Sequence, residues 1–292
     1  MRLLNLLRAT SGLLLISIIS SCNDDLDVRT LDEDIAEIEQ YIADNNLNAT
    51  RSDDWNVYYI EEIQGNGRTA SNSSIVEIAY ESSLLESAVF DSDSSYTFAI
   101  NSTVLLQGFA RAALTLSEGG KSTFLIPSVY AYGPNSGELN GVNIPPNAII
   151  KSDITLKAIL TTTQQRLREE DLILDYFEAL GNDTIDGNAD GLFKQIITEG
   201  DGDSPSSGSR VLLSYEGTFL DGEEFDKSDE AGVSFTLDPN GLIEGFLDAV
   251  LSMKEGEEAL FALTSNIAYG ERGTPTIPPF TPLVFKIKLI NI

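Results

Sequence analysis

Val211-Leu212-Leu213-Ser214-Tyr215-Glu216-Gly217-Thr218-Phe219, followed after Leu220 by Asp221-Gly222, decides the fold of the second half of the chain. Val211, Leu213, Tyr215, Gly217 and Phe219 alternate onto one face of an extended strand. Asp221-Gly222 supplies a tight turn, because glycine accepts positive φ at no steric cost. Phe225-Asp226 falls on the next extended run and Phe235-x-Leu237 on another. Leu242 to Met253 is apolar at nearly every turn, with Glu244, Asp248 and Ser252 interrupting, and reads as a short helix buried on most sides. Lys254-Glu255-Gly256-Glu257-Glu258 turns the chain back at the surface. The last strand alternates Leu283, Phe285, Ile287 and Leu289 against Val284, Lys286, Lys288 and Ile290. These elements predict an α+β domain with mostly antiparallel strands.

The same residues carry a resemblance. Tyr215-x-Gly217, Asp221-Gly222, Phe225-Asp226, Phe235-x-Leu237, Leu242-Ile243-x-Gly245-Phe246 and Met253-Lys254-x-Gly256-Glu257 come in that order. Ala268-Tyr269-Gly270, Ile277-Pro278-Pro279 and Leu283-Val284-Phe285 follow. No single piece is specific, but the ordered set resembles the FKBP-type peptidyl-prolyl cis-trans isomerases. The resemblance implies a twisted, mostly antiparallel sheet wrapped on a short helix, a small aromatic-lined hollow, and no cofactor.

The pattern occurs twice. Tyr80, Phe90-Asp91, Phe109, Ala131-Tyr132-Gly133 and Ile144-Pro145-Pro146 precede their counterparts by a nearly constant interval, with Phe98-x-Ile100 and Leu105-Leu106-x-Gly108 in the expected order. An internal duplication explains this. The expected organisation is a leader over 1–21, an acidic tether and N-terminal helix over 22–54, and a first FKBP-like domain over 55–160. A linker helix and turn over 161–190 and a second FKBP-like domain over 191–292 complete it.

Thr30 and Glu33 form a capping box for a helix over 31–47 with Leu31, Ile35, Ile38 and Ile42 on one stripe, which needs a partner surface. Thr161 to Gly181 reads as a second helix with Leu167, Ile173, Phe177 and Leu180 on one face and Gly181 as the stop. The repeated unit is thus expected to be helix plus domain. Asp186-Gly187-Asn188-Ala189-Asp190-Gly191 looks like a calcium loop, but Ile197 stands where an EF-hand needs a bidentate acid, so a turn before a strand starting at Leu192 is expected. Glu199 to Ser209 reads as a permissive Gly/Ser/Asp loop.

The resemblance assigns roles. In the second domain Phe246 is the pocket floor, with Phe225, Phe235, Leu242 and Phe285 as walls and Ile277 on the loop before the prolines. The Ile243 N–H binds a substrate carbonyl, Tyr269 donates from the rim, and Tyr215 buttresses Asp226. The first-domain counterparts are Tyr80, Phe90, Asp91, Phe98, Leu105, Leu106, Phe109, Tyr132 and Ile144. That domain has Ser152 in place of the last-strand Phe and a longer segment, 134–144, where the second has 271–277. The first pocket is therefore expected to lose a wall and gain a longer flap, leaving its activity open. The second departs at Asp238, Thr264 and Phe280, and both have Phe where the floor is often Trp.

Composition narrows the chemistry. The chain has no histidine, which excludes Ser-His-Asp and Cys-His sites and removes the usual zinc ligands; no metal site is expected. Rotation about a prolyl bond needs none of these. Arg2 and Arg8, a short apolar run over 13–19 and Ile19-Ser20-Ser21-Cys22 resemble a bacterial lipobox cleaved before Cys22, the only cysteine. Without residues 1–21, 16 basic side chains face 46 acidic ones, a net charge of −30. Such a chain repels phosphate backbones, so no nucleic-acid partner is expected and membrane attachment rests on the lipid. Asn23-Asp24-Asp25-Leu26-Asp27 is either an acidic export signal of the kind found on Bacteroidota surface lipoproteins or a solvated tether. Two functions compete: an envelope-anchored isomerase, outer membrane favoured, acting on proline-containing polypeptides, and a non-catalytic scaffold within an outer-membrane protein complex.

Overall fold

The computed structural model describes residues 29–52, 54–102, 106–181, 185–188 and 190–292. The leader, Cys22, the acidic run and Leu105 lie outside the described residues. The chain divides into two compact units between Thr161 and Thr162.

The first unit opens with α1 (Leu31–Asp44), whose capping box forms in full: Thr30 accepts from the Glu33 N–H while the Glu33 carboxylate takes the Thr30 N–H. Then come β1 (Thr50–Arg51), β2 (Tyr58–Ile63), β3 (Ile75–Leu84), β4 (Val89–Ala99), α2 (Gln107–Thr115), β5 (Lys121–Ile126), β6 (Gly137–Leu139), β7 (Val142–Ile144) and β8 (Ile150–Leu160). Six strands make one antiparallel sheet in the order β1-β2-β5-β8-β3-β4, and β6–β7 is a separate hairpin. The second unit runs α3 (Thr162–Ala179), β9 (Asp186–Gly187), β10 (Leu192–Thr198), β11 (Arg210–Thr218), β12 (Glu224–Lys227), β13 (Val233–Thr236), α4 (Glu244–Leu251), β14 (Glu258–Leu263) and β15 (Leu283–Asn291). Its sheet order is β12-β11-β15-β14-β10-β9, with β13 also paired to β11. The α+β reading holds in both halves.

Each unit has three layers. In the second, alternation along β11, β14 and β15 sends Val211, Leu213, Phe261, Ile287 and Leu289 into one core with Leu247 and Val250 of α4 and Met253 just after it. The opposite face of the sheet, at Phe193, Ala262 and Val284, is covered by Ile173 and Phe177 of α3. The first unit repeats this: α2 on one face, and Ile35 and Ile38 of α1 on Tyr58, Leu125 and Ile149 of the other. The helix read over 31–47 thus finds its partner surface within its own unit, and Asn45 caps its end.

Two expectations fail. Leu167 and Leu180 are exposed. The buried stripe of α3 is Gln165, Glu169, Ile173 and Phe177, because the helix face is set by the i, i+4 ridge through the two large apolar residues. The loop 199–209 is not permissive either. A Cβ on Gly200 would stand 2.7 Å from the Glu255 carbonyl, and the Gly202 N–H donates to that carbonyl. Gly65 and Gly67 make the same close approach to the Ser117–Gly120 turn of the first unit. Asn188 turns the chain ahead of β10, its Oδ1 accepting N–H groups of Asp190, Gly191 and Leu192.

The residue after each Pro-Pro pair is left-handed, Asn147 at φ 56° and Phe280 at φ 53°, and its N–H closes onto Gly133 or Gly270. Asparagine tolerates that region; phenylalanine does not, at about 1–2 kcal/mol. Phe280→Asn should therefore stabilise the second unit by about 1 kcal/mol, seen as a higher denaturant midpoint with an unchanged slope.

Candidate functional site

Five aromatic rings of the second unit converge. Phe246, in the first turn of α4, contacts Phe285 of β15 at 5.3 Å, Tyr215 of β11 at 5.6 Å and Phe235 of β13 at 5.8 Å between ring centroids. Phe225 of β12 stands edge-on to Phe285 at 5.6 Å. Such tilted and edge-to-face pairs suit the ring quadrupoles. Glycine at 217 makes the arrangement possible, since a Cβ there would meet Phe225 at 2.8 Å and Phe285 at 3.1 Å. Leu242 and Ile243 pack half-buried at the edge of this cluster, and Ile277 is buried within it.

The polar groups lie along one side. The Tyr215 hydroxyl donates to Asp226 Oδ2 at 2.7 Å, and Asp226 is solvent-exposed. Burial and this carboxylate together push the Tyr215 phenol up to about 12. Tyr269 is 37% exposed; partial burial and the Asp226 charge push its phenol up too. Both hydroxyls therefore remain protonated donors at neutral pH. The Ile243 N–H, at the N-cap of α4, has no hydrogen bond to any described residue. The second unit thus gathers the predicted rings with Leu242, Ile243 and Ile277 into one cluster, with the Tyr215–Asp226 pair beside it and Tyr269 within reach of the Asp226 charge. Among the described residues there is no group of three or more His, Cys, Asp or Glu placed to hold a metal ion.

The first unit has the same frame, closed. Tyr80 donates to Asp91 Oδ2 at 2.9 Å and packs on Phe109 at 4.7 Å, but Tyr80 is 2% and Asp91 6% exposed. Phe90, Phe98 and Ile144 are equally buried, Tyr132 lies against Phe90, and Leu106 caps α2 as Ile243 caps α4. Three differences set this copy apart. Ser152 occupies the register of Phe285, and its hydroxyl bonds to Ser82, which occupies that of Gly217. Tyr96 sits edge-on to Tyr80 at 5.9 Å, in the register of the exposed Val233, because β4 is continuous where the second unit breaks into β12 and β13. The long flap folds as the β6–β7 hairpin around Asn140-Gly141, both at positive φ. It buries Leu139 in the main core, and the Asn140 side-chain amide donates to the Phe90 carbonyl at 2.7 Å. The Asn-Gly pair marked this hairpin in the sequence, and Tyr96 was equally visible there; neither was among the expected site residues.

The family model for FKBP-type peptidyl-prolyl cis-trans isomerase matches residues 66–157 and again 202–290. The chain belongs to that family. Over 104 residues it is 36% identical to the FKBP-type peptidyl-prolyl cis-trans isomerase FkpA of Escherichia coli K12, a match covering 35% of this chain and 38% of FkpA. Over 106 residues it is 39% identical to a peptidyl-prolyl cis-trans isomerase of Schizosaccharomyces pombe, covering 35% of this chain and 95% of that relative. A solved peptidyl-prolyl cis-trans isomerase from Pseudomonas syringae is 31% identical, covers 45% of this chain and 95% of its own, and superposes with a TM-score of 0.39.

Burial raises the Asp91 carboxyl above its ordinary range, against the pull of the Tyr80 hydroxyl and the Ser92 backbone. A raised folded value means stability is full below the unfolded pKa and is lost as pH rises through the folded one. Asp91→Asn should therefore raise the melting temperature of the first unit at pH 7, and the gain should vanish as the pH is lowered to about 4.

Proposed function

We propose that this chain is a peptidyl-prolyl cis-trans isomerase whose turnover resides in the second unit, with the first a closed, non-catalytic copy. The observation that carries the reading is the contrast between the exposed Asp226–Tyr215 pair and the buried Asp91–Tyr80 pair.

Isomerisation cleaves nothing; it rotates a C–N bond against a resonance barrier of about 18–20 kcal/mol. Water favours the planar, polar amide. A ring-lined cup over Phe246 removes that water and so favours the twisted, less conjugated state. The proline ring sits among Phe225, Phe235, Leu242 and Phe285, while the Ile243 N–H binds a substrate carbonyl. Tyr269 donates from the rim, and Tyr215 holds Asp226 in place. Fixed donors that fit the twisted geometry better than the planar one convert binding into rate. Substrates are proline-containing segments of polypeptides.

The envelope part of the reading rests on the residues before 29. The charged start, apolar run and Ile19-Ser20-Ser21-Cys22 support lipid attachment at Cys22 and a role in folding exported proteins. Among the described residues no helix is long and apolar enough to cross a membrane.

Two measurements test this. In protease-coupled or exchange-NMR assays of the chain from Cys22 onward, Asp226→Ala should lower kcat/KM by about tenfold with the fold intact. Phe246→Ala should lower it further, at a folding cost of about 3–5 kcal/mol. Asp91→Ala and Phe109→Ala should leave turnover unchanged; unchanged rates in the Asp226 and Phe246 variants would refute the site. For the anchor, Cys22→Ser should move the full-length chain from the membrane fraction to the soluble fraction and abolish fatty-acid labelling.

A further inference from the structure

The rim tyrosine of the open cup hangs from one serine. The Ser265 carbonyl accepts the N–H groups of Ala268 and Gly270 at 2.9 and 2.8 Å, bracketing Tyr269 on both sides. The remaining polar groups of Ser265 point to α3: its N–H donates to Glu169 Oε2 at 2.6 Å and its hydroxyl to Glu169 Oε1 at 2.8 Å. Gln165 supplies a third donor to that carboxyl at 3.0 Å. Glu169 is 1% exposed. An apolar side chain would seat α3 beside Ile173 and Phe177 without the desolvation that a buried carboxyl suffers. Docking alone therefore does not account for an acid here.

The first unit repeats the device. Asp34 Oδ2 accepts from the Ser128 hydroxyl at 2.7 Å and the Val129 N–H at 3.2 Å. The Ser128 carbonyl takes the N–H groups of Ala131 and Gly133, both at 2.9 Å, bracketing Tyr132. The turns match in backbone: Ala131 at φ −120°, ψ −115° and Ala268 at φ −114°, ψ −114°, with Gly133 and Gly270 left-handed at φ 61° and 62°. Asp34 stands to Glu169 as Tyr80 stands to Tyr215, at the same interval along the chain. Both helices lie outside the stretches matched by the family model.

We propose that Glu169 is a positioning residue for the isomerase site: through Ser265 it fixes the turn that presents the Tyr269 hydroxyl to a bound prolyl peptide. The inference rests on the reading of the second unit as the active one. The helix before that unit is then part of its active-site architecture, not a spacer.

The test uses the chain from Cys22 onward. Glu169→Ala should speed amide hydrogen exchange at Ser265, Ala268 and Gly270 by about tenfold, the scale of the lost acceptor contacts. It should lower kcat/KM for a prolyl peptide by a similar factor. Glu169→Gln, which keeps one acceptor, should do less, and it serves if the alanine variant does not fold. Asp34→Ala should leave turnover unchanged. In a Tyr269→Phe background, Glu169→Ala should have no further effect on turnover, since the two act in series. Unchanged exchange, an equal loss with and without the Tyr269 hydroxyl, or Tyr269→Phe turning over like the parent would each overturn the proposal. A parent chain without isomerase activity would instead defeat the reading of the active unit, and exchange at Ser265 would still decide whether the latch exists.

Discussion

A carboxyl group set among aromatic rings must keep water or lose its charge. That constraint separates the two halves of this chain. Both halves place an aspartate one strand away from a tyrosine and let the phenol hydroxyl close on it. In the second unit the carboxylate still faces solvent, beside rings that are only half-buried. In the first, rings and a flap have displaced the water already. Asp91 Oδ1 has no hydrogen-bond partner among the described residues, and burial pushes the carboxyl upward.

What opens or shuts the cup is a handful of steric choices on a common frame. Gly217 removes a Cβ that would collide with two wall rings; Ser82 in the same register faces Ser152, which stands where Phe285 would. A continuous β4 carries Tyr96 over Tyr80, while β13, resuming after the break past Lys227, carries the exposed Val233 in the matching register. Burying the flap leucine contributes on the order of 2 kcal/mol, and its asparagine adds a bond to the Phe90 carbonyl. The first unit has the contacts of a filled core where the second keeps half-buried rings. Stability and an accessible site are alternatives at this position.

The fold was largely legible because its signals are local and repeated. The capping box at Thr30 and Glu33, the stop at Gly181, and the alternation of Val211 to Phe219 each depend on near neighbours. The duplication let one reading of the strand and helix signals serve twice. The ring set at the second site was legible for the same reason. Failures came where a pattern judged residues singly. On α3, hydrophobicity promoted Leu167 and Leu180 and passed over Gln165 and Glu169, whose burial depends on a hydroxyl nearly a hundred residues away. Gly200 and Gly202 looked like loop filler because the backbone they pack against is distant in sequence. The constant interval that paired Tyr80 with Tyr215 also pairs Asp34 with Glu169, Gly65 with Gly200 and Gly67 with Gly202. Applied to every position, it marks those residues as well.

The duplicated latch bears on what the repeating unit is. The family model begins after α1 and again after α3, so the family alone would treat both helices as appendages. Yet each helix covers the sheet face that α2 or α4 leaves bare, and each sends one buried acid to the serine that brackets the rim tyrosine. The latch persists in the first unit, whose cup is filled, because there it still fixes a turn that the core is packed against. In the second unit the same turn carries a tyrosine that is 37% exposed, where its counterpart Tyr132 packs against Phe90. On the proposed reading, the bond that fixes a packed turn in the closed copy also sets, in the open one, where the rim hydroxyl points.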